Sequence, residues 1–255
     1  MALGWGLDAG VNEYLLLGVP ITVAFQLWIR RRPLHTLWVR DADRFRLDRR
    51  ALLLAAAVAV TPGVSLSRYL VGASRIDWVR VAWLLAAIVG AFGAGFAFRH
   101  FTRATLRSVF ACAATAGVIG IVLMVAARNV SPEAPPLTGG RALTGLLWFL
   151  LYLPVSFVLE EVFFRGALDA HVHDVGESRG VASALFVSAL WGLWHLPVAP
   201  LRASLPVTVA GLLFTHIVIG VPLSLYWRRS GNLAVSGTVH ALINGVRNTL
   251  LAAPI

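Results

Sequence analysis

The chain of 255 residues has no lysine, one cysteine and few charges of either sign. Charged residues make up 13% of it, about half the share that a soluble globular domain carries. The single thiol, Cys112, leaves nothing for an internal disulfide or a thiolate metal cluster. There is no GxxxxGK[ST] loop for a nucleotide and no HExxH pair for a zinc protease. Neither Ser156 nor Ser188 stands in a GxSxG context, which weighs against a serine hydrolase. The first apolar run has no basic leader and no small-residue cleavage site, so it is expected to stay as a helix.

What the chain has in quantity is apolar sequence. Hydrophobic residues reach 58%, and all 22 basic residues are arginine, giving a formal charge of +10. Such a charge is compatible with nucleic acid, but the arginines fall in short loops between apolar runs. There they would meet anionic lipid headgroups, and no nucleic acid partner is expected. Eight segments approach the length needed to cross a bilayer: 11–29, 51–69, 80–98, 106–127, 142–161, 181–199, 206–227 and 233–251. The expected fold is all-α, a polytopic transmembrane helical bundle of about eight helices.

Within that frame, Pro62 and Gly63 predict a kink or an early end in the second segment. The fourth segment, SVFACAATAGVIGIVLMVAA, is rich in small residues that allow close helix contact. No internal repeat or second soluble domain can be separated, so residues 1–255 are expected to form one integral membrane domain. Fifteen arginines fall in the loops after the first, third, fifth and seventh segments, and six in the alternate loops. That asymmetry predicts both termini outside the cytoplasm.

Three polar constellations interrupt the later apolar segments. In EEVFFR, Glu161 and Arg165 are four apart and can pair on a helix, while Glu160 would point roughly 100° away. In WGLWHLP, Trp191 and His195 share a face, with Trp194 beside them and Pro197 limiting the helix. In HALIN, His240 and Asn244 stand at i and i+4. Ionisable groups at membrane depth are costly and mark functional sites by default. Each also has a plainer reading. Glu161 with Arg165 can be a structural pair, a single histidine can be a satisfied core residue, and His240 with Asn244 can tie helices together. Arg247 can snorkel to an interface, and His216 suits packing or support of a neighbouring group. His171 and His173, near Asp169, Asp174 and Glu177, read as a solvated loop.

Taken together, a glutamate, two histidines and an asparagine suit water activation. The carboxylate can take a proton from water, histidine can orient that water, and an amide can donate to an oxyanion. Glu160, His195 and His240 are also candidate ligands for a divalent metal such as zinc. The His–Asn spacing is not itself a zinc signature, so the cofactor stays open.

With its motifs in this order, the sequence resembles the CPBP family of intramembrane endopeptidases. That family includes type II CAAX prenyl proteases and bacterial proteins linked to bacteriocin processing or self-immunity. Its EExxxR motif is matched by Glu160, Glu161 and Arg165. Its FxxxH-like motif is matched by Trp191 and His195, with Trp where the pattern has Phe, and its HxxxN-like motif by His240 and Asn244. The resemblance implies a catalytic core over 142–251 whose cavity opens to the cytoplasmic side and the lipid. Glu160 would act as general base and His195 would position water. His240 and Asn244 would stabilise the oxyanion, while Glu161 and Arg165 would orient the set. The implied substrate is a membrane-associated or lipidated protein or peptide, cleaved in what is expected to be a bacterial cytoplasmic membrane. Two alternatives use the same residues differently: a non-enzymatic membrane interaction or immunity protein, and a transporter with Glu and His as relay groups.

Overall fold

The protein is seen in a computed structural model that describes residues 10–131, 134, 136, 140–173, 180–199 and 203–251. Among these the regular structure is helical, apart from one isolated antiparallel bridge between Val39 and Asn232. The long elements are α1 (Val11–Ile29), α2 (Arg49–Gly72), α3 (Trp78–Arg99), α4 (Arg103–Asn129) and α5 (Arg141–Ser156). A short element, α6, runs as a π-helix over Val162–Asp169 and continues into Ala170–Val172. Then come α7 (Val181–Trp194), α8 (Leu205–Ser230) and α9 (Ala234–Leu251).

Among the described residues six helices are long and apolar enough to cross a membrane: α1, α2, α3, α4, α8, and α7 with the 3-10 turn that follows it. Each of the eight expected segments is largely helical, but two of them differ in kind. At 16 residues α5 is shorter than a span, because the chain leaves the helix just after Pro154. Helix α9 is 18 residues long, yet it carries Ser236, Thr238, His240, Asn244, Arg247 and Asn248. Most of that polar face is buried in the bundle, where other helices replace lipid as its surroundings.

Local chemistry sets the helix ends. Asp48, Asp77 and Thr102 accept backbone N–H bonds at the starts of α2, α3 and α4. The Ala51 N–H holds the Asp48 carboxyl below the usual carboxylate range, and Arg99 adds to the effect. Gly231 closes α8 with φ near 60°, a left-handed conformation that favours glycine. Pro62 does not end α2, which runs on to Gly72. The small residues of α4 do allow close approach: a Cβ on Gly120 would lie 2.7 Å from Ile243 of α9.

The arginine-rich loops meet on one face. Arg30, after α1, donates to the carbonyls of Gly166 and Ala170 in α6. Arg40 donates to the Arg228 carbonyl at the end of α8, and Asn232 donates to Ala97 near the end of α3. Two arginines of the loop count, Arg179 and Arg202, lie outside the described residues, as do Asp174 and Glu177. Asp169 is not solvated as its loop composition suggested. It is fully buried and held by two guanidinium nitrogens of Arg228, at 2.7 and 2.8 Å. His171 is exposed, with its ring edge against Phe25.

Between α5 and α6 the backbone turns tightly over residues 157–160. The Phe157 carbonyl, freed by that turn, accepts from the Trp38 indole at 2.8 Å. Helix α3 accommodates the end of α5 and Trp38 through glycine. A Cβ on Gly90 would collide with the Pro154 carbonyl, and one on Gly93 with the Trp38 indole. Gly90→Ala is therefore expected to cost about 1–3 kcal/mol by overpacking. Gly63→Ala in α2, where nothing lies within 4 Å, should be neutral or stabilising. Thermal unfolding of the two variants in detergent checks the contrast; equal midpoints would refute it.

Candidate functional site

Glu160 lies in the turn rather than on a helix. Its carbonyl accepts from the Phe163 and Phe164 N–H groups and so begins α6, with Glu161 in the first helical position. The expected divergence of the two carboxylates is present, but a helix break produces it. The π-helical winding of α6 then stacks Arg165 under Glu161, with 3.5 Å between charged atoms. Such windings recur at functional sites.

The Glu160 carboxylate faces α7. Its Oε2 accepts the Trp191 indole N–H at 3.0 Å and lies 3.4 Å from His195 Nε2. His240 Nε2, from α9, is 4.0 Å from the same oxygen. The other ring nitrogen of His240 is 3.2 Å from Glu161 Oε1, within ion-pair reach but off the hydrogen-bonding direction. His240 thus stands between the two glutamates. Asn244 is buried one turn further along α9.

The two carboxylates have different surroundings. Glu161 and Arg165 are fully buried, whereas the side chains of Glu160 and His195 keep 14% and 22% of their exposure. The Arg165 guanidinium lies over the Trp191 ring, 4.4 Å from its centroid, and donates to the Gly220 carbonyl of α8. Gly220 leaves it room, since a Cβ there would be 3.0 Å from the guanidinium.

A third histidine joins the cluster. The His216 ring of α8 stacks on His195 with centroids 4.6 Å apart and meets the Trp191 ring edge-on at the same distance. In the sequence it stands alone in LLFTHIVIG and reads as a packing or supporting residue. Both His195 and His216 place Nδ1 on the carbonyl four residues earlier, at 2.9 and 2.8 Å. A carbonyl can only accept, so each Nδ1 carries hydrogen and each neutral ring presents its Nε2 lone pair. Trp194 turns away to stack on Tyr14 of α1. Arg247 bonds to Asn248 and lies 5.9 Å from the Tyr152 ring centroid.

Zinc would need three or four donors converging at about 2.0–2.3 Å. Glu160 Oε2 already takes an indole N–H, and His240 divides its nitrogens between two glutamates. Among the described residues no group of three or more His, Cys, Asp or Glu side chains is arranged to hold a metal ion. The set does not fit a metal as it stands, and no step is routed through one.

No curated protein and no solved structure matches the chain. Residues 141–246 match the family described as Type II CAAX prenyl endopeptidase Rce1-like. The match takes in Glu160, Glu161, Arg165, Trp191, His195, His240 and Asn244 and leaves α1 to α4 outside it. The match thus covers α5 to most of α9, the part of the chain that builds the buried Glu/His network.

Proposed function

We propose that the protein is an intramembrane endopeptidase that hydrolyses a peptide bond in a membrane-associated or lipidated protein or peptide. The observation that carries this reading is the pairing of Glu160 with His195 at 3.4 Å, on the least buried edge of an otherwise enclosed polar cluster. His195 Nδ1 is committed to the Trp191 carbonyl, so its Nε2 faces a carboxylate oxygen. A lone pair facing a carboxylate repels it unless a proton lies between them. The pair is therefore built to hold one proton.

Hydrolysis then follows with balanced protons. A water beside Glu160 attacks the carbonyl carbon and loses a proton to the Glu160 oxygen that His195 and Trp191 leave free. The oxyanion is met by N–H groups from the His240 and Asn244 side of α9. The C–N bond breaks as the pair returns its proton to the leaving nitrogen. Trp191 holds one oxygen of Glu160, which leaves the other for water. Glu161 and Arg165 act behind the reacting groups by fixing His240 and the Trp191 ring. On this reading the arginine-rich face lies on the cytoplasmic side of a bacterial membrane, residues 1–255 act as one domain, and 142–251 is the catalytic core.

The test is cleavage of a panel of single-span and lipidated peptides by the purified chain in proteoliposomes. His195→Ala is expected to lower turnover at least about 10²-fold, the lower end of acid–base contributions, with little change in the unfolding midpoint. Turnover equal to that of the parent would sink the assignment of His195. Binding of peptides without cleavage would favour a non-enzymatic interaction protein.

A further inference from the structure

A cavity of about 560 Å³ opens on the arginine-rich face, away from the Glu160 cluster. Four guanidiniums line it, from Arg30, Arg32, Arg40 and Arg228, with two carboxylates, Asp41 and Asp169. The carboxylates are already taken. Asp41 receives three bonds from Arg40, and Asp169 is gripped by Arg228 through two nitrogens. Among the described residues two balanced pairs remain, and two guanidiniums without a counter-charge.

Arg30 and Arg32 are those two. Arg30 is half-buried, and its bonds go to neutral acceptors: Gln26 Oε1 at 2.8 Å, the Gly166 carbonyl at 2.9 Å and the Ala170 carbonyl at 3.3 Å. Arg32 is exposed and, among the described residues, makes no side-chain hydrogen bond or ion pair. Burial, and then the charge of Arg32, push the Arg30 guanidinium below its ordinary value. Two adjacent cations at the mouth of a cavity repel each other until an anion sits between them. Planar guanidinium forks match the oxygens of a phosphate, and phosphates are abundant at a membrane surface.

We infer that this cavity is a phosphate-binding site in which Arg30 and Arg32 clamp the anion. Its consequence for the fold is direct. Arg30 ties the end of α1 to carbonyls of α6, the element that carries Arg165 and is capped by Glu161. An anion that neutralises Arg30 and Arg32 relieves their repulsion and fastens α6 to α1. The site is independent of the proposed peptidase activity, since none of its residues touches the Glu160 cluster.

The phosphate can belong to a lipid headgroup or be free in solution, and two arms separate the sources. The full chain is unfolded thermally in phosphatidylcholine nanodiscs, with and without phosphatidylglycerol. In the second arm the nanodiscs are pure phosphatidylcholine, with inorganic phosphate added against sodium chloride of equal ionic strength. A rise of several degrees with phosphatidylglycerol alone identifies a lipid headgroup site. A rise in both arms identifies a site for phosphate from either source. Arg32→Gln breaks no described contact and removes the repulsion on Arg30, so it should not lower the midpoint in pure phosphatidylcholine and should lose at least half of the rise. Arg50→Gln, an exposed arginine outside the cavity, should keep the full rise. No rise in either arm, an undiminished rise in Arg32→Gln, or an equal loss in Arg50→Gln would overturn the inference.

Discussion

Glu160→Gln is expected to lower peptide hydrolysis by roughly 10²–10⁴-fold, the range spanned by positioned acid–base groups, while the bundle remains folded. The amide keeps the volume of the carboxyl group and an oxygen that can still accept the Trp191 N–H at 3.0 Å. What it lacks is the charge that draws a proton from water and the capacity to share that proton with His195. The oxygen kept for Trp191 is also the one 3.4 Å from His195 Nε2, and it can accept from that ring nitrogen when His195 is protonated. The local geometry is thereby held while the chemistry is removed. Single-turnover cleavage of a membrane peptide in proteoliposomes isolates the chemical step from product release. The expected signature is a fall in kcat with KM little changed. Turnover within about threefold of the parent, far short of the loss expected when a general base is removed, would remove Glu160 from the mechanism. A relay in a transport path predicts a different outcome: proton flux across the vesicle would fall and no cleavage would be seen in the parent.

Much of this site is legible in the sequence because its motifs are local. Trp191 and His195, like His240 and Asn244, sit at i,i+4, and helical winding alone brings each pair to one face. Glu161 and Arg165 belong to the same class, and the π-helical winding keeps them together. Contacts between distant segments leave no such periodic trace. Nothing around Trp38 indicates that its indole caps the Phe157 carbonyl, and the glycines that admit this contact lie on α3. The break before Glu160 was hidden by an apolar run that reads as one continuous span over 142–161. Pro154 near the end of α5 was the available sign that the helix stops. Asp169 was misjudged because its partner Arg228 is 59 residues away, so its charge read as a loop charge. His216 reaches the cluster through the packing of α8 on α7, and a lone histidine in an apolar helix has many structural uses.

The largest effect on stability is expected at Arg165. Its side chain and that of Glu161 have no exposure, and their charged atoms are 3.5 Å apart. Neither Glu161 oxygen nor Arg165 Nη1 makes a well-aligned hydrogen bond, so proximity of charge is what holds them. Arg165→Met removes the guanidinium from over Trp191 and leaves the Glu161 carboxylate facing His240 alone. Loss of one member of a buried pair costs about 3–5 kcal/mol. Arg165→Lys is not expected to restore the parent. An ammonium is more strongly hydrated than a guanidinium, and it cannot lie as a plane on the indole while reaching both Glu161 and the Gly220 carbonyl. The double variant Glu161→Gln/Arg165→Met carries no stranded charge. It should regain most of the lost stability, since a buried pair contributes little net stability over apolar residues of similar size. It should not regain turnover, because His240 loses the carboxylate 3.2 Å from its ring nitrogen and Trp191 loses the cation on its face. Equilibrium unfolding in detergent, paired with peptide cleavage, reads both quantities. Additive losses in the double variant would show that Glu161 and Arg165 act independently. Recovery of stability without recovery of cleavage would show that the pair is held at its cost for the geometry it imposes on His240 and Trp191.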